Sequence, residues 1–175
     1  MRGAIPSELI DTSWDHVSES LHKYVPKGAA PMNVLYTAEA TTVGGREGHV
    51  RSADGALNLD LAIPKELGGP GGLATNPEQL FAAGYAACFE NAVRHVARQS
   101  KVRVGQASVT ARVGIGPDGS GGFGLTVELH VRLPELDSQE ARELVALAHQ
   151  TCPYSNAVRG NVDVQVMVDP APEVI

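Results

Sequence analysis

The spacing of apolar residues along this chain switches from a period of two to a period near 3.6 and back, which marks out its elements in order. Val34 to Thr41 reads as a strand, Gly44-Gly45 as a turn, and His49 to Ser52 as a strand that pairs back. Asp54-Gly55 is a hairpin signal, and Ala56 to Ile63 then alternates as a half-buried strand does. Pro64 starts a loop that holds Gly68-Gly69-Pro70-Gly71-Gly72. The period then lengthens over Pro77 to Gln99, a predicted helix with Pro77 at its first position and Thr75 or Asn76 as its cap. Ala107 to Ile115 and Phe123 to Leu133 form a hairpin around Gly116-Pro117-Asp118-Gly119. A second helix covers Ser138 to Gln150, with Asp137 and Glu140 in a capping-box pattern, and Val162 to Val168 is the last strand. The order β-β-β-α-β-β-α-β belongs to the α+β class.

Before this body lies an extension, residues 1–31. Trp14, Val17, Leu21, Tyr24 and Val25 recur there at helical spacing, with Thr12 or Ser13 as a cap, and predict an amphipathic arm packed on the body or on a partner subunit. The body itself, residues 32–175, is long enough to bury its own core. A net charge of −6 and a pI near 5.5 leave no basic face for nucleic acid, and aromatics at 5% are too few for a base-stacking platform. No run approaches 18 apolar residues, and Pro6, Glu8, Asp11 and Asp15 break up any leader-like segment, so a cytoplasmic protein without membrane contact is expected. In such a compartment two cysteines point to catalytic or redox chemistry before a structural disulfide.

Each cysteine sits in a dense motif. Cys88 lies in the helix that runs Thr75-Asn76-Pro77-Glu78-Gln79-Leu80-Phe81-Ala82-Ala83-Gly84-Tyr85-Ala86-Ala87-Cys88-Phe89. Cys152 opens Cys152-Pro153-Tyr154-Ser155-Asn156-Ala157-Val158-Arg159-Gly160-Asn161, read as a mobile turn because Pro153 cannot continue the preceding helix. One thiol in a small-residue helix and one in a turn suit a redox pair, while a buried, inert thiol remains the plain alternative for Cys88. Glu78 fits the first-turn position that the helix dipole favours, and Arg46, in Gly44-Gly45-Arg46-Glu47-Gly48, fits a solvated surface charge. His149, three residues before Cys152, has no paired ligand motif around it, so no metal is expected. The glycine cluster lacks the Gly-Lys-Ser/Thr ending of a phosphate loop, and no Gly-x-Ser-x-Gly surrounds Ser155; neither a nucleotide nor any other cofactor is called for.

Together Leu35-Tyr36-Thr37-Ala38, Pro64-Lys65-Glu66-Leu67-Gly68-Gly69, Thr75 to Phe89 and Cys152 to Asn161 resemble the organic hydroperoxide resistance proteins, a branch of the osmotically inducible protein C superfamily. The resemblance runs from about Val34 to Val168, and residues 1–31 depart from the compact family pattern. It implies an intertwined homodimer with antiparallel sheets around a long central helix, and a thiol peroxidase over residues 32–175. By motif, Cys88 matches the peroxidatic cysteine and Cys152 the resolving one, Arg46 the arginine beside the thiol, and Glu78 the carboxylate that orients it. It further implies organic hydroperoxides (alkyl and fatty-acid) as substrates, an intrachain Cys88–Cys152 disulfide as intermediate, and a dithiol, of the dihydrolipoyl kind, as reductant. The alternatives are a sister-branch peroxidase for smaller or inorganic peroxides and a redox-sensing or lipid-binding module.

Such a reaction makes physical demands. A free cysteine is already a few per cent thiolate at neutral pH, so lowering its pKa to roughly 5–6 would raise that fraction only about thirtyfold. A guanidinium aimed at the breaking O–O bond offers more, and Arg46 is expected to act on both thiol and leaving group. Leu80, Phe81, Tyr85 and Phe89 are expected around Cys88, as an organic-peroxide pocket or as plain core.

Overall fold

The structure, a computed structural model, describes residues 32–169. The chain divides into two units, Met1–Ala38 and Glu39–Ile175. In the first, residues 32–38 carry no regular secondary structure, and the arm expected over residues 1–31 lies outside the described residues. Every described strand and helix belongs to the second unit.

Three short antiparallel strands come first: β1 (Ala40–Val43), β2 (His49–Ser52) and β3 (Asn58–Asp60), in the order β1-β2-β3. The strand expected from Val34 begins only at Ala40, because β2 turns away after Ser52, the partner of Ala40, and the ladder ends with it. β3 is likewise shorter than its alternating pattern. Past Asp60 the backbone leaves β2, and Leu61 bridges Thr75 instead, just ahead of the long helix.

That helix, α1 (Pro77–Gln99), has the predicted limits. Asn76 is the cap, its side-chain oxygen accepting from the Gln79 N–H at 2.9 Å, while the Thr75 hydroxyl donates to Gln79 Oε1. Tyr85, Phe89, Ala92, Val93, Val96 and Ala97 recur every three to four residues and are buried. The opposite face, with Ala83, Ala87, Asn91 and His95, is exposed.

The buried stripe packs against a second sheet of β4 (Ser108–Pro117), β5 (Phe123–Arg132) and β6 (Asp163–Asp169). On β5 the alternate residues Val127, Leu129 and Val131 are buried, the period of two that the sequence displays. β4 and β5 are antiparallel, but β5 and β6 run parallel, a departure from the purely antiparallel expectation. The reason lies in the connection, since a parallel neighbour needs a long crossover. It is made here by α2 (Ser138–Thr151) and α3 (Pro153–Val158). Asp137 caps α2 by accepting from the Gln139 and Glu140 N–H groups. Ala141, Leu144, Val145 and Ala148 of α2 complete the core over α1. Among the described residues no helix is long and apolar enough to cross a membrane.

Candidate active site

Cys88 sits in the middle of α1, half-buried, and Cys152 is fully buried where α2 hands over to α3. Both are free thiols, with Cys152 Sγ donating to Cys88 Sγ at 3.6 Å. The turn expected at Cys152 is instead a junction between two helices. Pro153 does not merely end α2; it opens α3 from the first helical position, where its missing N–H costs nothing. Cys152 is therefore held from both sides: its N–H donates to the Ala148 carbonyl at 2.8 Å, and its carbonyl accepts from the Asn156 N–H at 3.0 Å. Two sulfurs in van der Waals contact need to close by only about 1.6 Å to reach the ~2.05 Å of a disulfide.

The joint is lined with aromatic rings. Tyr154, just past Cys152, lies against Phe81 and Tyr85, with ring centroids 6.2 and 5.7 Å apart. Gly84 makes this approach possible, since a Cβ there would stand only 3.2 Å from the Tyr154 hydroxyl. Tyr85 and Phe89 have no exposed surface and are plain core, so of the four residues expected around the thiol only Leu80 and Phe81 keep any surface. Tyr154, 39% exposed, takes their place as an accessible apolar wall. Sequence reasoning missed it. The signal was present in the Phe81, Tyr85, Phe89 spacing, which calls for an aromatic partner across the helix pair.

Arg46 and Glu78 form a second, separate pair. Arg46 lies on a one-turn helix, Gly45–Glu47, between β1 and β2. Gly44 and Gly45 take positive φ angles of 83° and 58° there, and a Cβ on Gly48 would run into the Val43 carbonyl. This tight turn aims the guanidinium at the first turn of α1. Its Nη1 and Nη2 donate to Glu78 Oε2 and Oε1 at 2.9 and 2.7 Å, a bidentate fork. Because Asn76 and Gln79 do the capping, Glu78 is free for this bond, and the Arg46 fork holds its carboxyl below the usual carboxylate range. The same bond raises Arg46.

The two pairs do not merge within one chain. Glu78 and Cys88 are ten residues apart on α1, a rise of about 15 Å. Burial pushes the Cys88 thiol up, the Tyr154 backbone N–H works against that shift, and the neighbouring Cys152 adds to it. Arg46 of the same chain is not among the groups that act on Cys88, and desolvation wins where no cation is near. Near the end of α2, burial and the positive charge of Arg159 push His149 down, and Arg159 donates to the His149 carbonyl at 3.1 Å. Among the described residues no three His, Cys, Asp or Glu side chains come together as a metal site.

The chain as a whole has clear relatives. The model of the family described as OsmC-like protein matches residues 69–167, and the chain belongs to that family. Within it, the similarity is to the organic hydroperoxide resistance branch. An organic hydroperoxide resistance protein of Xanthomonas axonopodis pv. citri is 57% identical over 78% of this chain and 96% of its own length. One from Bacillus subtilis is 48% identical over 75% of this chain and 96% of its own. Among solved structures, an organic hydroperoxide resistance protein from Legionella pneumophila superposes with a TM-score of 0.76 at 56% identity, covering 79% of this chain and all of that one. The Bacillus subtilis protein gives 0.72 at 45% identity over 78% of this chain.

Proposed function

We propose that residues 32–175 form a thiol-dependent peroxidase that protects against organic hydroperoxides, alkyl and fatty-acid ones above all. The observation that carries this reading is the 3.6 Å contact between two reduced cysteines of one chain, Cys88 half-buried and Cys152 buried, beside an aromatic wall. The Cys88 thiolate attacks the distal peroxide oxygen and the O–O bond breaks. Cys88 becomes a sulfenic acid, and the alkoxide leaves and takes a proton as the alcohol. The Cys152 thiol then displaces water from the sulfenic acid, forming the intrachain disulfide. An external dithiol, of the dihydrolipoyl kind, returns both cysteines to thiols and is itself oxidised to a disulfide. A reducing compartment such as the cytoplasm suits a cycle that starts from two thiols.

Arg46 stabilises the thiolate and the departing alkoxide in this scheme, and Glu78 holds the guanidinium in plane. Because that pair stands about 15 Å along α1 from the thiol of its own chain, the scheme requires a homodimer in which it serves the partner subunit's Cys88. The exposed Ala83, Ala87, Asn91 and His95 face of α1 lets a second helix approach closely. Val43, Leu73 and Phe123, 74%, 109% and 70% exposed, supply further apolar surface for the second copy to cover.

Peroxidase assays decide it. Turnover of an alkyl hydroperoxide should be fast with dihydrolipoamide, slow with glutathione, and slower again with hydrogen peroxide as substrate. After one equivalent of organic peroxide, non-reducing gels should show an oxidised species at monomer mass. A covalent dimer that vanishes in Cys152→Ser would overturn the intrachain bond. A preference for hydrogen peroxide would move the protein to the sister branch, and oxidation without turnover would make it a redox sensor.

A further inference from the structure

The peroxidase reading leaves one buried polar contact beside the thiols without a role. Tyr85, on α1, donates its phenolic hydrogen to the Ser155 hydroxyl on α3 at 2.9 Å, and the two are 0% and 1% exposed. Ser155 is the one buried polar or charged residue among those described, which is an expensive place for a hydroxyl unless its hydrogen bond has a purpose. Alanine would propagate the helix better. The phenol remains protonated, as burial pushes Tyr85 up and both cysteines add to the shift.

α3 is six residues long and cannot hold its own conformation, since isolated helices of that length are unstable in water. It nevertheless delivers two groups to Cys88. One is the Cys152 thiol at its start; the other is the Tyr154 backbone N–H, which favours the thiolate. The Tyr85–Ser155 bond spans 70 positions of sequence and ties this helix directly to α1, three residues before Cys88.

We infer that Tyr85 and Ser155 are positioning residues that clamp α3 onto α1, so that Cys152 meets the oxidised Cys88 as soon as it forms. The step they serve balances simply: the Cys88 sulfenic acid and the Cys152 thiol combine to the disulfide and release water. Without the clamp, α3 samples other orientations, and the sulfenic acid waits for its partner. The inference rests on the peroxidase reading for its purpose, but the geometry can be tested apart from it.

The test compares Tyr85→Phe, Ser155→Ala and the double variant with wild type. Each single change orphans one buried hydroxyl, whereas the double change removes both and should recover much of the thermal stability. Closure of the disulfide is followed on non-reducing gels of acid-quenched time points after one equivalent of organic hydroperoxide, with dimedone present in a parallel series to capture lingering sulfenic acid. Closure should slow roughly tenfold in all three variants, the loss of one buried hydrogen bond. Dimedone adducts on Cys88 should appear in them and be nearly absent in wild type. The decisive outcome is a double variant that regains stability yet still closes slowly. Wild-type closure rates in all three variants would overturn the clamp, and so would a rate that recovers together with the melting temperature, because the bond would then be merely structural. Diamide, which removes both electrons from a thiol pair without any peroxide step, serves as a second oxidant. Slow diamide closure in the variants supports the clamp even if wild type fails to reduce organic hydroperoxides, so the two readings fail separately.

Discussion

Cys88 and Cys152 meet where three helices close around them, one half-buried and the other wholly so, whereas Arg46 and Glu78 meet at the rim of the fold, with the arginine side chain 38% exposed. The thiols are held by backbone: helix interior on one side, a helix–helix joint on the other. The ion pair is held by a glycine-rich turn and by each other's charge. The difference has a chemical logic. A disulfide forms only within a narrow range of distances, so its partners need a rigid frame. In the proposed scheme the guanidinium acts on a transition state it does not touch at rest, and its place on a turn, forked but not against the sulfur, is compatible with that role. Burial, with the neighbouring Cys152 adding to it, raises the Cys88 thiol, and in the proposed scheme the offsetting charge comes from the partner subunit's rim.

Removing a thiol should have the largest effect. Cys88→Ser should abolish peroxide consumption, since a serine hydroxyl is almost never ionised at neutral pH. Cys152→Ser should consume one equivalent and stall as the sulfenic acid or a mixed disulfide. Equal multiple-turnover rates for wild type and Cys88→Ser would end the thiol mechanism.

A smaller but still large loss tests the rim. Arg46→Ala should cost on the order of 10²–10³-fold in rate, by analogy with other donors to developing oxyanions. Arg46→Lys should restore little, because a point charge cannot reproduce the fork, and Glu78→Gln should cost less than either. Mixing sharpens the result. If the pair serves the partner subunit's thiol, exchanging Arg46→Ala with Cys88→Ser subunits creates one complete site per mixed dimer and recovers activity. If both groups serve the same chain, the mixture stays dead. Alkylation of Cys88 in a Cys152→Ser background gives an independent reading: its pH midpoint should rise when Arg46 is replaced, and no change would leave the two regions unconnected.

The smallest expected effect concerns stability in acid. The folded-state pKa of Glu78 is depressed by the Arg46 fork, so its contribution is present above the unfolded value of about 4.3 and is lost as pH falls through the folded one. Arg46 stays charged throughout. Melting temperatures from pH 6 to pH 3 should therefore fall more steeply for wild type than for Glu78→Gln. Parallel curves would mean that the fork is open in solution.

Much of the fold was legible in the chain itself because its signals are local. The Asn76-Pro77 start of α1, the alternation of β5 and the Asp137 cap of α2 each need only a few neighbouring residues to act. The limits of β1 and β3 were not legible, since a strand ends where its partner ends. The direction of β6 depends on the crossover that α2 and α3 make, and the joint at Cys152 depends on Pro153 starting a helix rather than stopping one.

For the site, residue order alone specifies the residue types and their immediate settings: a thiol in a small-residue helix, a thiol before Pro153, an arginine in a glycine turn, a carboxylate in a first helical turn. Whether Cys88 was reactive or plain core, and whether Glu78 capped a helix or held an arginine, stayed open there, because both readings use the same local pattern. Tertiary structure decided that Glu78 forks Arg46 across 32 positions and that Cys88 touches Cys152 across 64. It also decided that the Tyr85 hydroxyl finds Ser155, a contact that no spacing in the chain announces. These are long-range contacts between side chains, and they arise only when the packing of the apolar stripe of α1 against the second sheet and α2 brings distant segments to one place.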